Sequence, residues 1–450
     1  MTTVLLALSF VFLQAPAPLP SPAPSSLSQV WEAEHRDYGP TPLLDHAALH
    51  RWLAQTVKEG NGLIRSEEIG QSLEGRSITH LTVGHGPFHV LLWSQMHGDE
   101  ATATSALLDI LHYITRHRST PEVRRLLDSL TLHIVPMLNP DGAQRFQRRN
   151  AQGIDINRDA LLLQTPEGRI LKALRDRLNP SLGFNLHNQN WRTSAGETGK
   201  PASISLLAVA FDEARTETPG RVLAKKTCSV IKSALDAFIP GQVARYDDEF
   251  EVRAFGDNIT KWGTPVVLIE TGPLAGERAD QELVRLNFVA ILSALDAVAS
   301  GRVKDVDPSA YESLPINESG LFTVLVKGAT IATGTGIATF LGDVGLNSSR
   351  AVREADPRGP RRAVQSLRIE DLGDLRVYAG LETIEAAGLV LAPSQGWKAG
   401  ETVSVPDWTA FRSERAIAPG SALDLALLRE AGKGTYRVER VIPSETVLGK

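Results

Sequence analysis

Residues Phe88 to Arg116, FHVLLWSQMHGDEATATSALLDILHYITR, decide how the rest of the chain is read. The apolar run Phe88 to Trp93 is strand-like, whereas Ala101 to Arg116 repeats its apolar residues at helical spacing. Between them, His97 and Glu100 place two metal-capable side chains, spaced H-x-x-E, where a strand gives way to a loop. A third donor has to come from elsewhere in the chain. His187 is available, at the end of a second apolar run within SLGFNLHNQN. Two histidines and one carboxylate would leave a tetrahedral zinc with one open position, the arrangement that binds and activates a water.

The same alternation continues downstream. Glu122 to Ser129 reads as a helix, Leu130 to Val135 as a strand, Glu167 to Leu178 as a helix and Leu182 to Leu186 as a strand. There follow an apolar run at Ile204 to Ala210, a helix over Arg221 to Phe238, a strand at Val266 to Ile269 and a helix from Arg278 to Val298. Strands alternating with helices of this length predict an α/β fold with a mostly parallel or mixed sheet covered by helices on both faces. Strand order is left open. The apolar runs end at His97, near Asn139, at His187 and at Glu270. Ligands in open α/β sheets gather beyond the carboxyl ends of strands, so four segments would deliver polar groups to one edge.

Composition narrows the function classes. A chain of 450 residues with 42% hydrophobic content can bury a large core and hold more than one domain. Its net charge of −5 gives no pull toward nucleic acid. The single cysteine, Cys228, excludes intramolecular disulfides and a cysteine-based metal site. Val4 to Leu13 is an apolar run followed by proline- and serine-rich sequence, which predicts a signal peptide over 1–17 and an extended spacer over 18–30, hence a secreted or periplasmic protein. No run is long enough for a membrane span. The expected catalytic unit is 31–303. From 304 to 450 short β-rich runs such as Leu321 to Lys327 lie between glycine-rich turns, predicting a C-terminal β-rich domain with a structural role or an unidentified partner. Its phrases VLVKGATIATGTG and IEAAGLVLAPSQGWKAG resemble the small β-sandwich that flanks the barrel of amidohydrolases, although no barrel is present.

Six short motifs occur in a fixed order: HGDE at 97–100, NPDG at 139–142, RRN at 148–150, DINRD at 155–159, FNLHNQ at 184–189 and VVLIETG at 266–272. Together they resemble the zinc carboxypeptidases of the carboxypeptidase A type, over roughly residues 40 to 300. The resemblance implies one zinc per chain held by His97, Glu100 and His187, a ligand set of the kind familiar from carboxypeptidase A itself. It implies Glu270 as the general base on the attacking water, and Arg148 as the group that polarises the scissile carbonyl. Arg149 competes for that second assignment. Asn157 and Arg158 match the pair that holds a substrate's terminal carboxylate, for which a guanidinium fork is suited. Tyr246 matches the tyrosine that closes over substrate.

Three departures from the family pattern are visible. The segment after Tyr246, DDEFEVRAFGDNITKWG, is unlike the digestive enzymes. Asp99 stands where those enzymes carry an arginine, and Asn185 where an aspartate is common. The expected activity is hydrolysis of a C-terminal peptide bond in a peptide or peptide-like substrate with a free carboxylate. A zinc-dependent amidase or deacylase acting on modified amino acids or cell-wall peptides is the second reading, and a non-catalytic binding protein the third. The other nine histidines, among them His80, His89, His112 and His133, receive no role.

Overall fold

The computed structural model describes residues 21–38, 43–354 and 361–448, so the expected signal segment lies outside the described residues. The first elements are α1 (Pro24–Glu34), α2 (His46–Gly60), β1 (Ile64–Gln71), β2 (Ser77–Gly84) and β3 (Phe88–Ser94). Next come α3 (Thr102–Arg116), α4 (Pro121–Ser129), β4 (Leu130–Val135), α5 (Pro140–Arg145), α6 (Pro166–Leu178) and β5 (Leu182–Asn188). They are followed by β6 (Thr193–Ala195), β7 (Ile204–Ala208), α7 (Pro219–Leu235), β8 (Val243–Arg245), α8 (Phe255–Lys261), β9 (Val266–Thr271) and α9 (Ala279–Ala299).

Eight of these strands form one sheet in the order β1-β2-β4-β3-β5-β9-β7-β8. Its centre is parallel, through the pairs β4 with β3, β3 with β5 and β5 with β9. The flanks β1–β2, β2–β4 and β9–β7 are antiparallel. The sheet is therefore mixed, and its four central carboxyl ends lie side by side. Period-two alternation supplies both faces. Val90 and Leu92 of β3 join a core with α1, α2, α3, α4, α7 and α9, while Leu91 and Trp93 join a smaller core with α6 and α8.

The stretch expected as an extended spacer is helical from Pro24. Proline at the start of a helix costs no hydrogen bond, and Leu27 and Trp31, four residues apart, are both buried in the main core. The indole Nε1 of Trp31 donates to Asp109 Oδ2 in α3 at 2.7 Å, and the Tyr38 hydroxyl donates to Asp109 Oδ1 at 2.6 Å. The chain beyond the expected division at 303/304 also stays attached to this unit. In the short helix α10 (Ser309–Glu312), the Tyr311 hydroxyl accepts from Ala208 N at 3.0 Å, and β10 (Asn317–Ser319) pairs antiparallel with β6. The β-rich region follows as a second sheet of nine strands. No helix among the described residues is long and apolar enough to cross a membrane.

Three histidines given no role by sequence stand in a row across β2, β4 and β3. His80 Nδ1 lies 2.8 Å from Glu67 Oε1, His80 Nε2 lies 3.1 Å from His133 Nδ1, and His133 Nε2 lies 3.0 Å from His89 Nδ1. Neighbouring rings are tilted by only 23° and 17°. A neutral imidazole has one donor and one acceptor, so protons can be ordered along the row toward Glu67 with each ring uncharged. Burial, then the charges His80 and His89 would carry, then Arg177 and Arg65, hold the His133 pKa down to about 3. Because the folded pKa lies below the unfolded one, this contribution to stability is complete above about pH 6.5 and is lost as pH falls toward the folded value. His133→Asn is therefore expected to show a smaller drop in Tm between pH 7 and 5 than the parent chain, by about 2–4 °C for each kcal/mol recovered. Parallel Tm-versus-pH curves would show that the row is not acid-sensitive.

Candidate active site

The site is built where the central strands end. β3 runs into Gln95, whose φ of 49° turns the chain, and the next residues bring His97 and then Glu100 to the start of α3. This turn is pressed against the start of α5. A Cβ on Gly98 would lie 2.0 Å from the carbonyl carbon of Gly142 and 2.2 Å from Ala143 N, so glycine is sterically required there. Asn139 caps α5 by accepting from Gly142 N at 2.9 Å. Across the parallel pair β5–β9, His187 is in register with Glu270.

His97, Glu100 and His187 are all buried, and each offers one donor atom within 4.8 Å of the others. His97 Nδ1 lies 2.7 Å from Glu100 Oε1, His187 Nδ1 lies 2.8 Å from Glu100 Oε2, and the two Nδ1 atoms are 3.1 Å apart. Two nitrogens on a tetrahedral zinc with bonds of about 2.0–2.1 Å would be separated by roughly 3.3 Å, so the spacing fits that ion. Burial opposes charge on His97, but the Glu100 carboxylate and the hydrogen bond His97 donates to Asp155 outweigh it and raise its pKa to about 9. Burial shifts His187, on the same carboxylate, the other way, and both rings must be neutral to coordinate a metal.

Asp155 is the residue that sequence reading passed over. Its Oδ1 lies 3.1 Å from His97 Nε2 and also accepts from Asn157 N at 2.9 Å, capping the 3₁₀ turn Ile156–Arg158. Its Oδ2 accepts from Arg148 Nε at 2.9 Å. One carboxylate thus orients a candidate metal ligand, turning Nδ1 toward Glu100 and His187 with Arg148 Nη1 3.1 Å away, and tethers a candidate catalytic arginine. Its position at the head of DINRD, one residue before the turn, was the available signal.

The cleft over these groups has a volume of about 370 Å³ and is lined by His97, Arg148, Asn157, Arg158, Tyr246 and Glu270. With buried Glu100 and His187 at its floor, all eight residues singled out by sequence come together. Arg148 lines the cleft, whereas Arg149 does not and has Nη1 donating to Gly153 O at 3.1 Å. Asn157 Oδ1 accepts from Phe255 N at 2.9 Å, fastening the 3₁₀ turn to α8, and Arg158 Nε lies 3.3 Å from Glu251. Glu270 is buried, and its Oε2 has no hydrogen-bond partner among the described residues. Burial, then the negative charge of Glu100, pushes its carboxyl above the ordinary range and makes it a stronger base. The charge of Glu270, then burial, raises the Tyr246 hydroxyl to about 12. Asn185 also lines the cleft. Two further lining residues, Asn317 and Ser319, come from β10. No local pattern in the sequence points to them.

The three candidate metal ligands lie in a segment that is similar to the zinc carboxypeptidases. Residues 49–203 match the family model described as zinc carboxypeptidase. Mouse carboxypeptidase M is 29% identical over 128 residues, which are 25% of this chain and 29% of that protein. The zinc carboxypeptidase of Saccharothrix mutabilis subsp. capreolus is 30% identical over 128 residues, 24% of this chain and 30% of that protein. The matched segment thus spans less than a third of these relatives. Among solved structures, a metallo-carboxypeptidase from Burkholderia cenocepacia aligns with a TM-score of 0.45 at 19% identity, covering 56% of this chain and 69% of that one.

Proposed function

We propose that the protein is a zinc-dependent metallocarboxypeptidase that releases the C-terminal residue of a peptide. The observation that carries this reading is the convergence of three donor atoms beside an unpartnered, buried carboxylate and two arginines in a single cleft. His97, Glu100 and His187 would hold zinc, which when bound supplies Lewis-acid activation of water and polarisation of the scissile carbonyl. Glu270 takes a proton from the attacking water and delivers it to the leaving amine. Arg148 offers its guanidinium to the oxyanion as negative charge develops. Asn157 and Arg158 hold the terminal carboxylate, with Arg158 exchanging its contact with Glu251 for the substrate. Tyr246, beside Glu270, covers the bound residue and sheds water from the cleft.

The test pairs metal content with hydrolysis of a mixed C-terminal peptide library, with and without a chelator. About one zinc per chain and chelator-sensitive release of single C-terminal residues are expected. Zinc without release would move the assignment to an amidase or deacylase, and a metal-free chain would overturn the enzymatic reading.

A further inference from the structure

We propose that β10, the strand leading into the C-terminal β region, is a substrate subsite whose open backbone edge pairs with residues upstream of the scissile bond. The inference rests on the peptidase reading of the cleft and gives the β region a part in substrate binding.

The first ground is the hydrogen-bonding parity of β10. Ile316 O accepts from Gly196 N at 2.8 Å, and Gly320 N and Leu321 N share Arg192 O at 3.1 and 3.0 Å, so within β10 it is Glu318, opposite Ser194, that directs its backbone groups toward β6. In an antiparallel pair the alternate residues point the other way. The backbone groups of Asn317 and Ser319 therefore face the opposite edge, whose first part is taken by Arg245, through Arg245 N donating to Pro315 O at 2.7 Å and a parallel bridge to Ile316, so that Ser319 is its open part. Ser319 is exposed, so this part of the edge is accessible.

The second ground is where that edge lies. Asn317 and Ser319 line the same cleft as Glu270 and Arg148. The position is held firmly: Asn317 Nδ2 donates to Gln189 Oε1 at 3.0 Å, and buried Gln189 donates in turn to Ala202 O at 2.7 Å and Ser205 Oγ at 2.9 Å. Gln189 follows His187 by two residues, so the edge is indexed to the strand that carries a metal ligand.

The third ground is continuity. Ser319 also lines an adjoining hollow of about 180 Å³, bounded by Arg192 on the α/β side and by Phe322, Glu370 and Tyr378 on the β side. Arg192 and Glu370 form an ion pair of 2.9 Å across the junction. The carboxylate clamp is fastened to α8, whereas β10 is fastened to β6 and Gln189. A peptide held by its carboxyl terminus at the clamp is free to run its upstream residues along β10, adding a strand to an unpaired edge.

Ser319→Pro removes the outward N–H alone, a substitution tolerated on an edge strand whose N–H points away from its partner. Ser319→Ala removes only the hydroxyl and serves as the control. N-blocked peptides of two to five residues with a common C-terminal residue are bound to the zinc-loaded chain carrying Glu270→Gln, so that binding is read without turnover. Lengthening the peptide is expected to tighten binding by about tenfold, the scale of one or two backbone hydrogen bonds. Ser319→Ala should keep this gain and Ser319→Pro lose most of it, with both variants binding the blocked dipeptide as before. No gain with length, or an undiminished gain in Ser319→Pro, overturns the proposal. Cleavage of the dipeptide by the chain with Glu270 intact is scored separately: binding without cleavage would count against the peptidase reading while the edge is still judged on the length series.

Discussion

Replacing Glu270 with glutamine is expected to lower kcat for C-terminal release by about 10²–10⁴-fold while leaving the zinc content of the chain unchanged. Glutamine keeps the volume and one acceptor oxygen at the end of β9 but cannot accept a proton. The carboxylate it replaces is buried, and burial together with Glu100 raises its affinity for a proton. Removing an ionisable group that has little hydrogen bonding to offset its desolvation should not lower stability. The variant is thus expected to be folded, metallated and inactive. Three measurements check it: zinc per chain, Tm and single-turnover hydrolysis. Near-native turnover would remove Glu270 from the role of base, and loss of zinc would show that it belongs to the metal-binding set instead.

Asp155→Asn tests the carboxylate that serves two masters. Burial disfavours charge on Asp155, but the hydrogen bond and charge of His97 and the guanidinium of Arg148 pull its pKa well below the usual carboxylate range. An amide presents one oxygen and one NH2. Either His97 Nε2–H or the Arg148 guanidinium then meets a donor where it had an acceptor. Loss of such an outer partner costs about 10–100-fold in metal affinity, readable by competition with a chelator, and a displaced Arg148 lowers kcat further. Unchanged zinc affinity with reduced kcat would assign Asp155 to Arg148 alone. Unchanged values of both would show that neither contact matters to the reaction.

The parts of the fold that were legible in the sequence are those in which local pattern and burial agree. β3, α3, β4, β5 and β9 are apolar on both sheet faces or along a full helical stripe, and their ends carry the polar residues of the site. β1 was not legible: of its residues only Ile64 is buried, and the strand IRSEEIGQ lies on the sheet edge with an irregular register after Glu68. α1 was misread as spacer because proline and serine mark turns as readily as helix starts. The decisive contact, Trp31 with Asp109, spans 78 residues. Sequence alone pointed to His97, Glu100, His187 and Glu270 because each terminates an apolar run or completes a short motif. The contributions of Asn317 and Ser319 depend on a chain that returns to the cleft long after the motifs have ended, and the histidine row exists only once β2, β4 and β3 are neighbours.

The backbone contact between Gly98 and Gly142 bears on how this site can change over time. HGDE and NPDG meet at this contact: the space a Gly98 side chain would need is filled by the backbone of Gly142 and Ala143, while a Cβ on Gly142 would meet Asn139 and Arg149 O. Enlarging Gly98 would push the turn that carries His97 and Glu100 off α5, whereas enlarging Gly142 would displace the Asn139 cap beneath it. The two glycines thus guard different things, one the seat of the His97–Glu100 turn and the other the cap that starts α5.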